Sequence, residues 1–348
     1  MIELIVKNKN FENIALIDSY ISLICTTSYN EGGEFELCVA VSEKNIKFLK
    51  MNYYITRNDN NDTFIIENLQ ITINDDKEEL MIISGRTIDS IISRRIIENQ
   101  TILKTTVFEG IKKLLDENLI NPKNNDRKIP NFTIKNVNFT DKISRQFTGD
   151  NLLEAIIDIC QSYNLGFKLN LKENIFELEL YKGVNRSYSQ NEVPYIVFSD
   201  EYDNLLSSNY AESTKELITN VLVAGEGEGN SRRKLWVSEL EKTGLERYEF
   251  FKDSRNTSSN DGEVSEEDYK KQLQQEGLEY LTKKTVAFSG EVYFDYVGYG
   301  KNIFLGDIVT IQNKRWNLYI NARLNKIIES IDEGGKHSIE PIFTILNT

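Results

Sequence analysis

The sequence predicts an α+β chain that is mostly β, built as two small antiparallel β-barrels with an inserted α+β region. Three observations lead there. Apolar residues alternate at period two through the first hundred positions and again from about residue 285 onward. The two strongly amphipathic helical stretches both lie between residues 106 and 160. Clusters of Asn, Asp, Ser and Gly punctuate the strand-like runs. The resulting division is 1–100 for the first barrel, completed by strands near 205–225. Residues 101–204 form the insertion. Residues 205–348 form the second barrel, with a loop–helix insertion near 252–284.

In the first unit, residues 2–6 and 20–27 are short apolar runs. Residues 34–39 alternate, placing Phe35, Leu37 and Val39 on one face. Between the last two runs lies Tyr29-Asn30-Glu31-Gly32-Gly33. Gly32 and Gly33 would permit the positive φ of a tight turn, so a hairpin is expected. Residues 63–73 and 79–84 are two more β-rich runs, joined by the polar turn at 74–77. The first hundred residues therefore form a small barrel or sandwich. One short helix interrupts them, with Ser42 as N-cap and Ile46 and Leu49 facing inward.

The insertion begins with Thr106-Val107-Phe108-Glu109. Here the Thr hydroxyl can take the amide three residues on while Glu109 reaches back. The helix that follows presents Phe108, Ile111, Leu114 and Leu115. A second helix starts near Asp150 or Asn151 and carries Leu152, Leu153, Ile156, Ile157 and Cys160. Residues 165–171 and 175–181 then read as a hairpin, with Phe176, Leu178 and Leu180 on one face.

In the last unit, residues 220–224 and 232–237 flank a glycine-rich turn beginning at Gly225. Residues 254–262, rich in Ser, Asn and Asp, are the best candidate for a mobile loop. A helix follows, with Ser265 as N-cap. Its apolar stripe is thin (Tyr269, Leu273, Tyr280, Leu281, with Gly277 between), which suits a helix resting on a surface or meeting a partner. Strands are expected at 290–294, 308–311, 317–331 and 339–346. Gly306-Asp307 forms one turn, and Asp332-Glu333-Gly334-Gly335 another.

The net charge of −13 over 348 residues argues against nucleic acid or an anionic membrane as the main partner, since both demand positive charge. No apolar run approaches the length of a membrane span, so no membrane insertion is expected. The opening MIELIVKNKN lacks a signal-peptide pattern. Cys25, Cys38 and Cys160 are widely spaced and suit buried, reduced thiols made in a cytosol.

Candidate chemistry is sparse. The one histidine, His337, follows a Gly-Gly turn in an exposed hairpin setting, a poor place for a nucleophile's base. Metal clusters of His and Cys lack the residues, and no cofactor is expected. Gly225-Glu226-Gly227-Glu228-Gly229 follows a strand as a dinucleotide-binding turn would. It leads into another strand, however, and its glutamates would face a pyrophosphate, so a hairpin or connection is the better reading. Arg94, Arg95, Arg232 and Arg233 are basic pairs suited to salt bridges within the chain or across an interface. Tyr269 and Leu273 are further interface candidates. Trp236 and Trp316 are read as core residues.

The order of motifs resembles siphophage tail-hub proteins and the N-terminal part of tail-associated lysins. The resemblance rests on Leu23 to Leu37 with its Tyr-Asn-Glu-Gly-Gly-Glu-Phe-Glu-Leu core, then Gly85-Arg86 with Ile91 and Arg94-Arg95. It continues through Asn151-Leu152-Leu153-Glu154-Ala155 with the hairpin after it and the strand ending at Gly225. It closes on Leu305-Gly306-Asp307-Ile308-Val309 and the terminal strands through Pro341. The resemblance implies tail-tube-like barrels and a homotrimeric ring at the tail tip or baseplate of a phage or phage-tail-like particle, made in the bacterial host cytoplasm. Such a ring would join a sixfold tail tube or distal-tail protein above to a threefold spike, fibre or tip protein below. It implies a structural protein, not an enzyme. A cell-wall hydrolase and a receptor-binding or adaptor module are the alternatives. Relatives often extend into a hydrolase or fibre where this sequence stops, so any lysin activity is expected on another chain. DNA passing through the bore would not bind stably.

Overall fold

The computed structural model describes residues 2–73, 77–259, 262, 264–281, 285–289 and 298–346. Strands β1 (Leu4–Lys7) and β2 (Asn13–Ile17) pair antiparallel. β3 (Ser22–Ser28) and β4 (Glu34–Ala40) form the expected hairpin. Helix α1 (Glu43–Phe48) is capped by Ser42, whose hydroxyl accepts from Asn45 N at 3.1 Å. Leu49 is fully buried, but Ile46 stands half exposed, against expectation. The helix is shorter than two turns and buries none of its own residues, so only the residue at its end reaches the core.

After β5 (Tyr54–Arg57), the run expected at 63–73 divides into β6 (Thr63–Ile65) and β7 (Asn68–Ile73), which join different sheets. β8 (Glu79–Arg86) follows; most of the turn expected at 74–77 lies outside the described residues. The sheet β2-β1-β5-β6 faces the sheet containing β3, β4, β8 and β7. Between them Leu4, Val6 and Ile55 meet Leu23, Phe35, Leu37 and Ile83. The alternation read in β4 thus places its apolar face in this core.

The insertion comprises β9 (Thr101–Thr106), α2 (Val107–Leu115), β10 (Phe132–Ile134), β11 (Lys142–Phe147), α3 (Leu152–Ser162), β12 (Gly166–Lys172) and β13 (Ile175–Tyr181). Thr106 caps α2 by accepting from Glu109 N at 3.4 Å. Glu109 itself pairs with Lys112 at 3.7 Å. Asn151 caps α3 through the amides of Leu153 and Glu154. Ile111, Leu114, Leu115, Ile156, Cys160 and Leu178 share one apolar core.

The remainder contains β14 (Val197–Ser199), β15 (Asn209–Ser213), β16 (Asn220–Ala224), β17 (Lys234–Val237), β18 (Glu249–Asp253), α4 (Glu266–Tyr280), β19 (Thr285–Ser289), β20 (Ile308–Asn313), β21 (Leu318–Ile331) and β22 (His337–Ile345). The strand expected at 290–294 lies outside the described residues.

Among the described residues no sheet closes into a barrel. Instead one sheet runs β15-β19-β22-β21-β3-β4-β8-β7 across both halves. The cause is the long β21. Residues 318–323 pair with β20, residues 326–331 pair with β3, and β22 pairs with its other edge. A register shift between Leu324 and Lys326 marks the hand-over. Ile327 enters one core and Ile331 the other. Nor do strands near 205–225 complete the first unit. β15 pairs with β19, while β16 builds a separate sheet with β17 and β18. β21 occupies the edge of β3 instead.

Candidate assembly site

Two constructions position the residues singled out by sequence: a junction around Tyr29 and a small lobe carrying α4. A third feature is the pair of sheet edges.

Tyr29 ends the β3 hairpin arm and is fully buried. Its N–H donates to Asn325 O at 2.8 Å, and its carbonyl accepts from Phe167 N at 3.1 Å. Its hydroxyl donates to Asn164 O at 2.8 Å and accepts from Gly183 N at 3.2 Å. One residue therefore ties the first unit, the insertion and the C-terminal strands. A Cβ on Gly306 would lie 2.2 Å from the Tyr29 ring, and one on Gly166 would lie 2.3 Å away. Gly306 also has φ +92°, so glycine is required there twice over. Burial pushes the Tyr29 hydroxyl pKa up.

Asp307 does more than turn the chain. Its buried carboxylate accepts from Val184 N at 2.7 Å, Arg186 Nε at 2.9 Å and Phe304 N at 3.0 Å. Gly32 and Gly33 do not use positive φ, contrary to the expected turn. Gly33 is needed for close approach, since a Cβ would lie 2.3 Å from Thr26 O. A second tie is ionic. Buried Arg57 contacts Asp59 through two hydrogen bonds of 2.7 and 2.9 Å, and Glu329 of β21 at 2.5 Å. Burial works against the Asp59 charge, yet the Arg57 hydrogen bonds hold its carboxyl below the usual range. His337 Nε2 lies 2.6 Å from the same Glu329, so the histidine belongs to this hairpin network.

In the lobe, α4 lies on the sheet β17-β16-β18. Gly225, Arg232, Arg233, Tyr269 and Leu273 come together here, but inside the chain. Arg232 donates to Gly225 O at 2.9 Å and Ala224 O at 2.7 Å, and pairs with Asp253. Arg233 pairs with Glu226 at 2.7 Å and with Glu266, its guanidinium 4.2 Å from the Tyr269 ring centre. Tyr269 OH accepts from Glu226 N at 2.9 Å. A Cβ on Gly225, whose φ is not positive, would lie 2.0 Å from that hydroxyl. Tyr269 and Leu273 are 1% and 2% exposed, so neither offers its side chain to a partner. The reason is Gly277. Lacking a Cβ, it lets α4 approach Val237 and Val223 closely enough to bury a thin stripe.

The loop expected to be mobile is tied down over its described part, because Glu276 bonds Ser254 and holds Thr257 at 2.5 Å. Of the other basic pair, Arg95 donates to Arg127 O at 2.6 Å, and Arg94 is exposed.

The sequence reading missed the outward features. Trp236 and Trp316, expected in the core, are each about half exposed. In the same lobe, Phe251 is half exposed and Leu245 fully so. The alternation within residues 234–237 was the available signal. At one end of the long sheet β7 exposes Ile71 and Ile73; at the other end lies the largely exposed β15. All three cysteines are buried and free, and burial pushes the Cys25 and Cys160 thiols up to about 12. Among the described residues no three Asp, Glu, His or Cys converge as metal ligands. No described helix is long and apolar enough to cross a membrane.

Three solved structures of similar fold are tail proteins. A tail protein from Neisseria meningitidis MC58 matches with TM-score 0.59 at 13% identity, covering 99% of this chain and 96% of that one. The prophage MuSo2 43 kDa tail protein from Shewanella oneidensis matches with TM-score 0.58 at 10% identity, covering 99% and 98%. The prophage tail protein gp18 from Listeria monocytogenes EGD-e matches with TM-score 0.55 at 14% identity, covering 98% and 94%. No curated protein sequence matches the chain. The family model described as Siphovirus ReqiPepy6 Gp37-like protein matches residues 3–343. The chain therefore belongs to that siphovirus tail-protein family.

Proposed function

We propose that the chain is a structural hub subunit at the tail tip, three copies of which form a ring joining a sixfold tail tube to a threefold tip or spike. The observation that carries this reading is the long sheet with two β units on one strand, β21, whose end strands among the described residues are β7 and β15. A strand at the end of a sheet can pair through its backbone with a neighbouring chain. Two β units per chain and three chains give six similar positions around an axis, which suits a sixfold tube above. Residues 101–204 are the insertion between them. A tube or distal-tail protein is the partner on one side, and a spike, fibre or tip protein on the other. We assign the chain no catalytic step.

Part of the −13 charge would line the bore and repel passing DNA phosphate. Size-exclusion chromatography with light scattering tests the ring. The wild type should run as a trimer, and Ile71→Lys with Ile73→Lys should run as a monomer. A wild-type monomer would overturn the reading, as would a trimer whose bore is neutral or basic for the DNA-passage part.

A further inference from the structure

The α4 lobe is joined to the rest of the chain by two neighbouring crossings. The chain leaves the long sheet after β15 and returns at β19, and Ser213 and Thr285 face each other where those strands pair. Between them β16, β17, β18 and α4 build their own sheet and helix around Val221, Val223, Val237, Tyr269 and Leu273. Residues 214–216, on the outgoing crossing, are exposed. A unit with its own core and adjacent tethers moves as a body unless its contact with the rest is large and apolar.

Here that contact is polar. Helical periodicity gives α4 two faces. Tyr269, Leu273, Gly277 and Tyr280 lie on the lobe's own sheet. Asp268, Gln272, Gln275 and Glu279 lie roughly a third of a turn away. Asp268 pairs with Lys104 of β9 at 3.0 Å and Glu279 with Arg145 of β11 at 2.9 Å, so this second face meets the insertion. On the facing side Ile102 packs on the lobe core, and Gln146, its partner across β9 and β11, donates to Asn256 O at 3.0 Å. Gln272, between Asp268 and Glu279 on the same face, is fully buried, yet neither its Nε2 nor its Oε1 has a hydrogen-bond partner in the protein. Gln146 Oε1 and Arg145 Nη1 have none either, and both residues are buried. Unmatched polar groups closed to water are costly, and opening the seam returns all of them to water. The ties across it oppose this only weakly. The Lys104–Asp268 pair is half exposed, and the Arg145–Glu279 pair regains on opening the hydration that burial removed.

We propose that the lobe is hinged: β16, β17, β18 and α4 swing as one body on the crossings beside Ser213 and Thr285. The docked state of this structure exchanges with an open state that hydrates Gln272, Gln146 and Arg145. Opening leaves the lobe core intact, because Tyr269 and Leu273 face the lobe's own sheet and not the insertion. The hinge goes beyond the hub reading and does not depend on it.

Thiol labelling of the full chain separates swinging from unfolding. Gln272→Cys places a thiol in the seam, and Val223→Cys places one in the lobe core. Each is labelled with iodoacetamide under native conditions and read by peptide mass spectrometry, with the buried Cys160 of the insertion as an internal reference. The seam thiol should react at least about 100-fold faster than the lobe-core thiol or Cys160, since it needs only opening whereas they need unfolding. Lys104→Glu, which sets like charge against Asp268 across the seam, should speed the seam thiol several-fold and leave the lobe-core thiol unchanged. Should Val223→Cys loosen the lobe, amide hydrogen exchange of β16 in the Gln272→Cys chain supplies the same comparison, and slow exchange there is expected. A seam thiol as slow as Cys160 overturns the proposal, because the lobe is then fixed. A lobe core that opens as fast as the seam also overturns it, because the lobe then unfolds instead of swinging. So does a seam rate indifferent to Lys104→Glu.

Discussion

The insertion and the α4 lobe solve one problem in opposite ways. Both must fix a helix on a sheet. α2 buries Val107, Phe108, Ile111, Leu114 and Leu115, and α3 buries Leu152, Leu153, Ile156, Ile159 and Cys160. α4 buries Tyr269, Gln272, Leu273, Glu276 and Gly277, of which only Tyr269 and Leu273 carry sizeable apolar surface. The first pair is held by hydrophobic area. α4 is held by a close approach at Gly277, the Tyr269–Arg233–Glu226 contact and the Glu276 bonds to Ser254 and Thr257. A thin apolar stripe therefore does not make a surface helix when the helix approaches its sheet closely and a carboxylate on the same face, Glu276, finds buried partners.

That contrast can be broken by substitution. Ile156→Ala opens a cavity in the apolar core and should destabilise the chain by about 3 kcal/mol in denaturant unfolding. A loss below about 1 kcal/mol would mean that the insertion is not held by area.

The next test addresses charge where the two regions meet. Glu279 of α4 lies 2.9 Å from Arg145 of β11, which is also 3.7 Å from Asp158 of α3. Burial pushes the Glu279 carboxyl up to about 7, the Arg145 charge opposing. The folded state thus holds a proton that the unfolded chain releases near pH 4.5. Stability from this group is full below about pH 4.5 and is lost as pH rises through about 7. The loss is at most about 3 kcal/mol. Glu279→Gln should flatten that slope between pH 4.5 and 8. An unchanged slope in the variant would assign it to other groups.

Gly277→Ala addresses the lobe alone. The added methyl would lie 2.5 Å from Val237 Cγ2, so a loss of about 2 kcal/mol is expected. Proteolysis should then cut first near the loop at 254–259, which α4 holds through Glu276. Unchanged stability would show that α4 does not need its close approach.

The same contrast explains what was legible in the sequence. The hairpins β3–β4 and β12–β13 and the helices α2 and α3 were readable because their signal is apolar and local. The caps Ser42, Thr106, Asn151 and Ser265 were readable because capping involves residues two or three apart. The inward face of α4 was not, because Gln272 and Glu276 read as solvated until their setting is known. The hand-over of β21 from β20 to β3 was hidden because its register is set by strands at opposite ends of the chain. Tyr29 looked like a turn residue. Its role depends on Asn164, Gly166, Gly183 and Gly306, which no local pattern links to it. Gly306 combines a positive φ with close approach to Tyr29, whereas Gly225 serves close packing rather than chain reversal.

The central claim is that the two-unit sheet closes a ring with copies of itself. Light scattering on the purified chain across micromolar concentrations tests it most directly. The account predicts three times the chain mass for wild type and one chain mass for the Ile71→Lys, Ile73→Lys variant. A wild-type monomer across that range, or a trimer unaffected by both substitutions, would contradict it.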